Sequence, residues 1–242
     1  MTQNGTPHSA RTSLLWVLLF LFLIWTIRTF QWQTATDLVH WGVYPQKIKG
    51  LTGILSMPLV HKDLDHIWNN SFGLLVTGWI LFFAYPKSAK PALLFCWLFT
   101  GLGVWIIGRP AYHIGASGIV YALTAFIFFS GIIRRDRSAV GYSLIVSFFF
   151  GASVWGVFPF QQGVSWEGHL MGAISGGLSA ILWRNRDRPK RDPDSDPEFK
   201  EPGNWPVSEI PYLEGTQLDQ DEIKPSMLAS NFHHLTRLGR CY

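Results

Sequence analysis

Ile114-Gly115-Ala116-Ser117-Gly118-Ile119-Val120-Tyr121 sets a serine between two glycines at the front edge of an apolar run long enough to cross a bilayer. A hydroxyl in that setting calls for partners: a base, a site for an oxyanion and a route for water. The run it opens, residues 117–133, is one of six. A membrane-spanning helix needs about 20 mostly apolar residues, and fewer where neighbouring helices bury its polar groups. Residues 14–29, 67–85, 92–108, 117–133, 140–158 and 168–183 meet that requirement. The expected fold is therefore an all-α membrane protein, a bundle of six transmembrane helices.

Composition agrees. Of 242 residues, 48% are hydrophobic and only 15% charged, with 12 tryptophans and 18 phenylalanines, and most of the charged residues follow Trp183. A soluble helical bundle is excluded by the number of spans. The net charge of +4 does not point to nucleic acid, because the basic residues sit in short clusters between apolar runs and build no basic face. Cys96 lies inside an apolar run and Cys241 at the C-terminal end, so no structural disulfide is expected. The first run follows Arg11 as a signal peptide would, yet no small-residue cleavage site follows Trp25, Phe30 and Trp32, which favours a retained helix.

Lysine and arginine set the orientation. With the N-terminus cytoplasmic, the inner side collects Arg11, Lys87, Lys90, Arg134, Arg135, Arg137, Arg184, Arg186, Arg188, Lys190 and Arg191. The outer side receives Lys47, Lys49, Lys62 and Arg109, with Arg28 at the outer end of the first helix. Both termini are thus expected to be cytoplasmic, in line with an even number of spans. The chain divides into an N-terminal cytoplasmic segment, 1–13, a membrane domain, 14–184, and a largely extended cytoplasmic tail, 185–242. The outer loop 30–65 is the longest connection between spans, and loops of that length are usually functional. Its Trp32, Trp41 and Tyr44 suit the headgroup level. In the tail, 192–222 is rich in proline and acid, whereas 225–238 has an amphipathic pattern.

With that topology the second, fourth and sixth helices all begin on the outer side, and each carries polar residues in its first turns. His66 and Asn70 open the second, Ser117 the fourth and His169 the sixth. All four side chains lie at similar depth, where they are costly unless they face the bundle interior. Taken singly, each has a plainer reading: a helix-start serine is usually a cap, an end histidine is usually interfacial, and Asn70 or its neighbour Asn69 can simply join two helices. Spacing and glycine context shift the balance. His66 and Asn70 are at i and i+4 and share a helix face, from which two donors can grip an oxyanion. Gly115 and Gly118 leave the backbone around Ser117 unobstructed, and the Ser117 N–H at a helix N-terminus is a further donor. Gly168, Gly172 and Gly176 make one face of the sixth helix smooth, so it can pack closely on a neighbour. If that neighbour is the fourth helix, His169 comes within reach of Ser117.

These residues resemble the rhomboid intramembrane serine proteases in their bacterial six-helix form. The likeness covers 61–183 and rests on His61 with His66 and Asn70, on Gly115-Ala116-Ser117-Gly118, and on His169-Leu170-Met171-Gly172, in that order along the chain. It implies a serine endopeptidase with Ser117 as nucleophile and His169 as general base, and an oxyanion hole of His66, Asn70 and the Ser117 N–H. It also implies that Tyr121 stacks on His169 and that His61 holds the first loop in shape. Gly115, Gly118 and Gly172 support the site. The Trp-Arg pair that many rhomboids carry in the first loop is missing near 50–54. No cofactor or metal is implied. The expected partners are single-span membrane-protein substrates and the lipid bilayer, with no nucleic acid, and the expected location is a bacterial inner membrane. Two other readings stand beside this one. A catalytically inactive rhomboid-like binding protein would usually lack the serine or the histidine. A channel or transporter would need polar groups continuing to the inner leaflet, where Ser71, Thr77, Thr124, Ser143, Ser147 and Ser175 offer little.

Overall fold

The computed structural model describes residues 9–161 and 163–188. The expected tail from 192 onward, its amphipathic stretch 225–238 and the first eight residues lie outside the described residues. Within them the chain is helical, and the one extended pairing is an isolated antiparallel bridge between Val43 and His113.

Six helices make the bundle: α1 (Ala10–Thr34), α2 (Leu64–Ala84), α3 (Pro86–Ile107), α4 (Ser117–Arg134), α5 (Arg137–Phe150) and α6 (Trp166–Leu182). Short polar side chains start most of them. Ser9, Asp63, Asp136 and Ser165 each accept a backbone N–H from the first turn of α1, α2, α5 and α6, which satisfies donors that a helix start leaves unpaired. Five helices are long and apolar enough to cross a membrane: α1, α2, α3, α4, and α5 with its continuation to Val157. The sixth, α6, has 17 residues, about 25 Å of rise.

Two boundaries differ from the sequence expectation for identifiable reasons. Helix α3 begins at Pro86, ahead of the apolar run, although Pro91 lies inside it. Pro91 has no N–H for the Lys87 carbonyl. Arg186 Nη1 donates to that oxygen instead, at 3.4 Å. The same end is capped by Asp187, whose Oδ1 accepts from Lys87 N at 2.7 Å and whose Oδ2 accepts from the Ser88 hydroxyl at 2.6 Å. At the other boundary, the apolar run 140–158 stays α-helical only to Phe150 and then tightens into the 3-10 segment Gly151–Val157. Gly151 and Gly156 weaken the α-helix, and the Ser153 hydroxyl bonds back to the Phe150 carbonyl at 2.6 Å.

Burial identifies the centre of the bundle. In α4, 56% of the most apolar 18-residue window is buried, against 17% in α1 and 11% in Arg137–Val157. The outer helices turn large side chains such as Phe22, Leu144 and Phe148 outward. Helix α6 lies against α4 at backbone range: a methyl group on Gly172 would strike the Gly118 carbonyl, and one on Gly176 the Ala122 carbonyl. Gly168 also lies at this seam through its backbone, since a methyl on Gly118 would come within 3.1 Å of the Gly168 carbonyl oxygen.

The outer loop is shorter than expected because α1 runs on to Thr34. It packs against α3: Trp105 Nε1 donates to Lys47 O at 3.0 Å, and Trp97 Nε1 reaches Ile54 O and Leu55 O at 3.2 Å. Trp32 and Trp41 are exposed, whereas Tyr44 is half-buried with its ring 4.9 Å from that of Tyr112.

Candidate active site

Ser117 is the first residue of α4, reached through a tight approach. Gly115 has φ +106° and donates its N–H to Met57 O at 2.9 Å, and Ala116 N–H points at His61 Nε2 at 3.4 Å. The left-handed φ suits glycine. Space requires glycine as well, because a side chain at 115 would run into the His66 ring and lie 3.4 Å from Asn70 Nδ2. His66 and Asn70 therefore crowd the backbone just ahead of the serine.

Asn70 is buried and its Nδ2 has no hydrogen-bond partner. A buried amide donor without an acceptor is expensive. Here it faces the same cavity as Ser117, so an anionic oxygen placed beside the serine would give it the acceptor it lacks.

His169 sits in the first turn of α6, and its Nε2 is 2.9 Å from Ser117 Oγ. Its Nδ1 is 2.9 Å from the Gly156 carbonyl oxygen. A carbonyl can only accept, so Nδ1 carries the proton and Nε2 is left to accept the Ser117 O–H. The ring lies flat on Tyr121, with centroids 4.1 Å apart and planes at 8°. The Tyr121 hydroxyl donates to Ser153 O at 2.7 Å. Two carbonyls of the 3-10 segment thus hold the imidazole and the ring beneath it. Sequence reasoning did not find Gly156 or Ser153, because a main-chain acceptor has no side-chain signature.

His61 is buried, its ring centroid 5.1 Å from that of His66. Burial, and then the neighbouring His66, push its pKa down to about 3, so it is neutral at neutral pH. It braces the loop at Ala116.

A cavity of about 1200 Å³ joins these groups. His66, Asn70, Ser117 and His169 line its floor, and Phe149 and Phe150 close the side toward α5. Such a volume exceeds that of most small-ligand pockets and admits an extended peptide with water. The arrangement can carry out acyl transfer: a hydroxyl beside a neutral imidazole, and a free amide donor near where negative charge would develop. Among the described residues no group of three or more His, Cys, Asp and Glu side chains is placed to hold a metal ion.

A second polar cluster, absent from the sequence reasoning, adjoins the site. Glu167, 1% exposed, accepts from Arg109 N at 3.2 Å and approaches His113 Nδ1 at 4.0 Å. An acid two residues before His169, in an otherwise apolar helix start, was its only sequence signal.

The Rhomboid domain family model matches residues 49–186. An uncharacterized protein of Mycobacterium tuberculosis (strain ATCC 25618 / H37Rv) is 32% identical over 184 residues, which is 72% of this chain and 77% of that protein. An uncharacterized protein of Mycobacterium leprae (strain TN) is also 32% identical, over 72% of this chain and 73% of its own length. A protein of Acanthamoeba polyphaga mimivirus named as a rhomboid protein is 26% identical, over 51% of this chain and 70% of its own.

Proposed function

The chain belongs to the rhomboid family and is an integral multi-pass membrane protein, and on that footing we propose that it is an intramembrane serine endopeptidase acting through Ser117 and His169. The observation that carries the proposal is the 2.9 Å contact between His169 Nε2 and Ser117 Oγ, with Nδ1 committed to Gly156 O. With Nδ1 donating to that carbonyl, Nε2 is the ring nitrogen that can act as a base toward the Ser117 hydroxyl.

His169 Nε2 takes the Ser117 proton as Oγ attacks the scissile carbonyl carbon. The carbonyl oxygen becomes an oxyanion, met by Asn70 Nδ2, the His66 ring and the Ser117 N–H at the start of α4. The imidazolium formed meanwhile keeps its Nδ1–H on the Gly156 carbonyl and rests on the Tyr121 face, which favours a cation. His169 then gives the proton to the leaving amine nitrogen, and the peptide C–N bond breaks. Water, deprotonated by the same nitrogen, then attacks the acyl carbon, the ester C–Oγ bond breaks, and Nε2 returns the proton to Ser117 Oγ as the carboxylic product leaves.

All six helices span, α6 by virtue of its burial among α3 and α4, and both termini are cytoplasmic in a bacterial inner membrane. The substrate is a single-span membrane protein, cut near the outer end of its segment. Peptide bonds inside a helix are shielded from a nucleophile, so that end must unwind locally to reach the cavity.

The test is cleavage of a single-span reporter in vesicles. Ser117→Ala and His169→Ala should each abolish it while insertion is unchanged, and labelling by a serine-directed fluorophosphonate should vanish with Ser117→Ala. A Ser117→Ala protein that cuts as fast as its parent refutes the assignment. A parent that neither cuts nor labels is instead an inactive rhomboid-like binding protein.

A further inference from the structure

One hydrogen bond runs beside the Ser117–His169 pair in an ordered way. His113 Nδ1 is 2.6 Å from Ser165 Oγ. His113 stands four residues before Ser117, and Ser165 stands four residues before His169. The two segments entering α4 and α6 are therefore joined one step upstream of the nucleophile and the base.

Proton placement in this link is determined by its neighbours. Ser165 Oγ caps α6 by accepting Gly168 N–H at 3.3 Å, which leaves its own hydrogen for His113. His113 Nε2 lies 3.1 Å from Arg109 O, a pure acceptor, so Nε2 carries a proton, and in the neutral ring Nδ1 is then the acceptor for the Ser165 hydroxyl. Burial favours that neutral ring. Its backbone is fixed on the other side, where N–H donates to Val43 O at 2.8 Å and O accepts from Val43 N at 3.0 Å. Arg109 adds further stitches to the α6 entry, through Glu167 and the Val164 carbonyl.

We propose that His113 and Ser165 are positioning residues, which hold the starts of α4 and α6 at the separation that the Ser117–His169 hydrogen bond requires. The proposal rests on the protease reading above. Neither residue needs to touch the substrate's reacting atoms. Their effect is on the near-attack geometry, where a displacement of about 1 Å can cost roughly a hundredfold in rate.

The experiment uses the full chain in vesicles, with the active fraction counted by fluorophosphonate titration so that misfolded protein drops out of the rate. Ser165→Ala is expected to lower kcat per titrated site roughly tenfold to a hundredfold with KM for the reporter unchanged. Ser165→Thr, which keeps the hydroxyl and the cap, is expected to restore kcat. His113→Gln should resemble Ser165→Ala, and the double variant should be no slower than either single one, because both break the same bond. A merely structural role predicts fewer active sites or a lower thermal midpoint at unchanged kcat per site, and that result overturns the proposal, as do additive effects in the double variant. If the parent cleaves but the variants match it, only this inference fails. If the parent neither cleaves nor labels, the protease reading fails and takes this inference with it.

Discussion

The Gly156 carbonyl oxygen lies 2.9 Å from His169 Nδ1, and no room exists between residue 156 and the rings it faces. A methyl group at 156 would collide with the Tyr121 hydroxyl and come within 3.1 Å of His169 Nδ1. Gly156→Ala is therefore expected to tilt the imidazole off its stack and weaken the Ser117 contact. Reporter cleavage per titrated site should fall by roughly tenfold to a hundredfold, although residue 156 contributes no side-chain chemistry. Wild-type turnover in this variant would show that the carbonyl does not orient the base.

Tyr121 separates two contributions that the structure joins. Tyr121→Phe keeps the ring under His169 and loses only the hydroxyl donated to Ser153 O. Its cost should be that of one ordinary hydrogen bond, about 1 kcal/mol. Tyr121→Ala removes the surface on which the imidazole rests and should reduce turnover far more. Comparable rates for the two would assign the hydroxyl, and not the ring face, as the support.

Asn70 Nδ2 is a buried donor without a partner, and one that faces the cavity beside Ser117, so its value lies in the transition state. Asn70→Ala should leave residual activity, with kcat down by about 10²- to 10³-fold and KM little changed. Because the parent amide is unsatisfied before substrate arrives, the same variant should be no less stable to heat than the parent. A large loss of thermal stability would point to a structural role for Asn70.

Much of this was legible beforehand because membranes restrict the options. Apolar runs reported the long helices, and four polar side chains at one depth, His66, Asn70, Ser117 and His169, share one cavity in the structure. Gly172 and Gly176 read as a close-packing face and do meet α4. What escaped was main-chain chemistry and tertiary pairing. Nothing in the string Gly151-Ala152-Ser153-Val154-Trp155-Gly156 says that its last carbonyl faces a histidine 13 residues on, or that the Ser153 carbonyl accepts from a tyrosine 32 residues back. Likewise His113 and Ser165 are separated by 52 residues, and only the docking of two loops brings them together.

The packing of α6 on α4 has its own test. Gly172→Ala would drive a methyl into the Gly118 carbonyl and toward Tyr121 Cβ, 3.2 Å away. Overpacking of this kind typically costs about 1 to 3 kcal/mol, and the resulting shift would carry His169 away from Ser117. Both thermal stability and cleavage should drop. Gly141, inside α5 with nothing within 4 Å of an added methyl, is the control: Gly141→Ala should leave cleavage unchanged and thermal stability no lower.

His61 makes the loop between α1 and α2 sensitive to acid. Its pKa is lowered from 6.5 to about 3, by burial first and His66 second, so the folded chain resists protonating it while the unfolded chain does not. Above pH 6.5 both states hold a neutral ring, and His61 contributes no pH dependence. As pH falls below that value the unfolded state gains a proton that the folded state refuses. Stability then declines, by at most about 1.4 kcal/mol per pH unit, until the folded pKa is reached. His113, buried and also shifted downward, adds a slope of the same sign. His61→Asn removes one titrating group, so its thermal midpoint should vary less between about pH 6.5 and 4 than that of the parent. The comparison is made on purified protein in detergent, following loss of fluorophosphonate labelling after a heat step. Parallel pH profiles for parent and variant would show that His61 is protonated as readily in the fold as outside it.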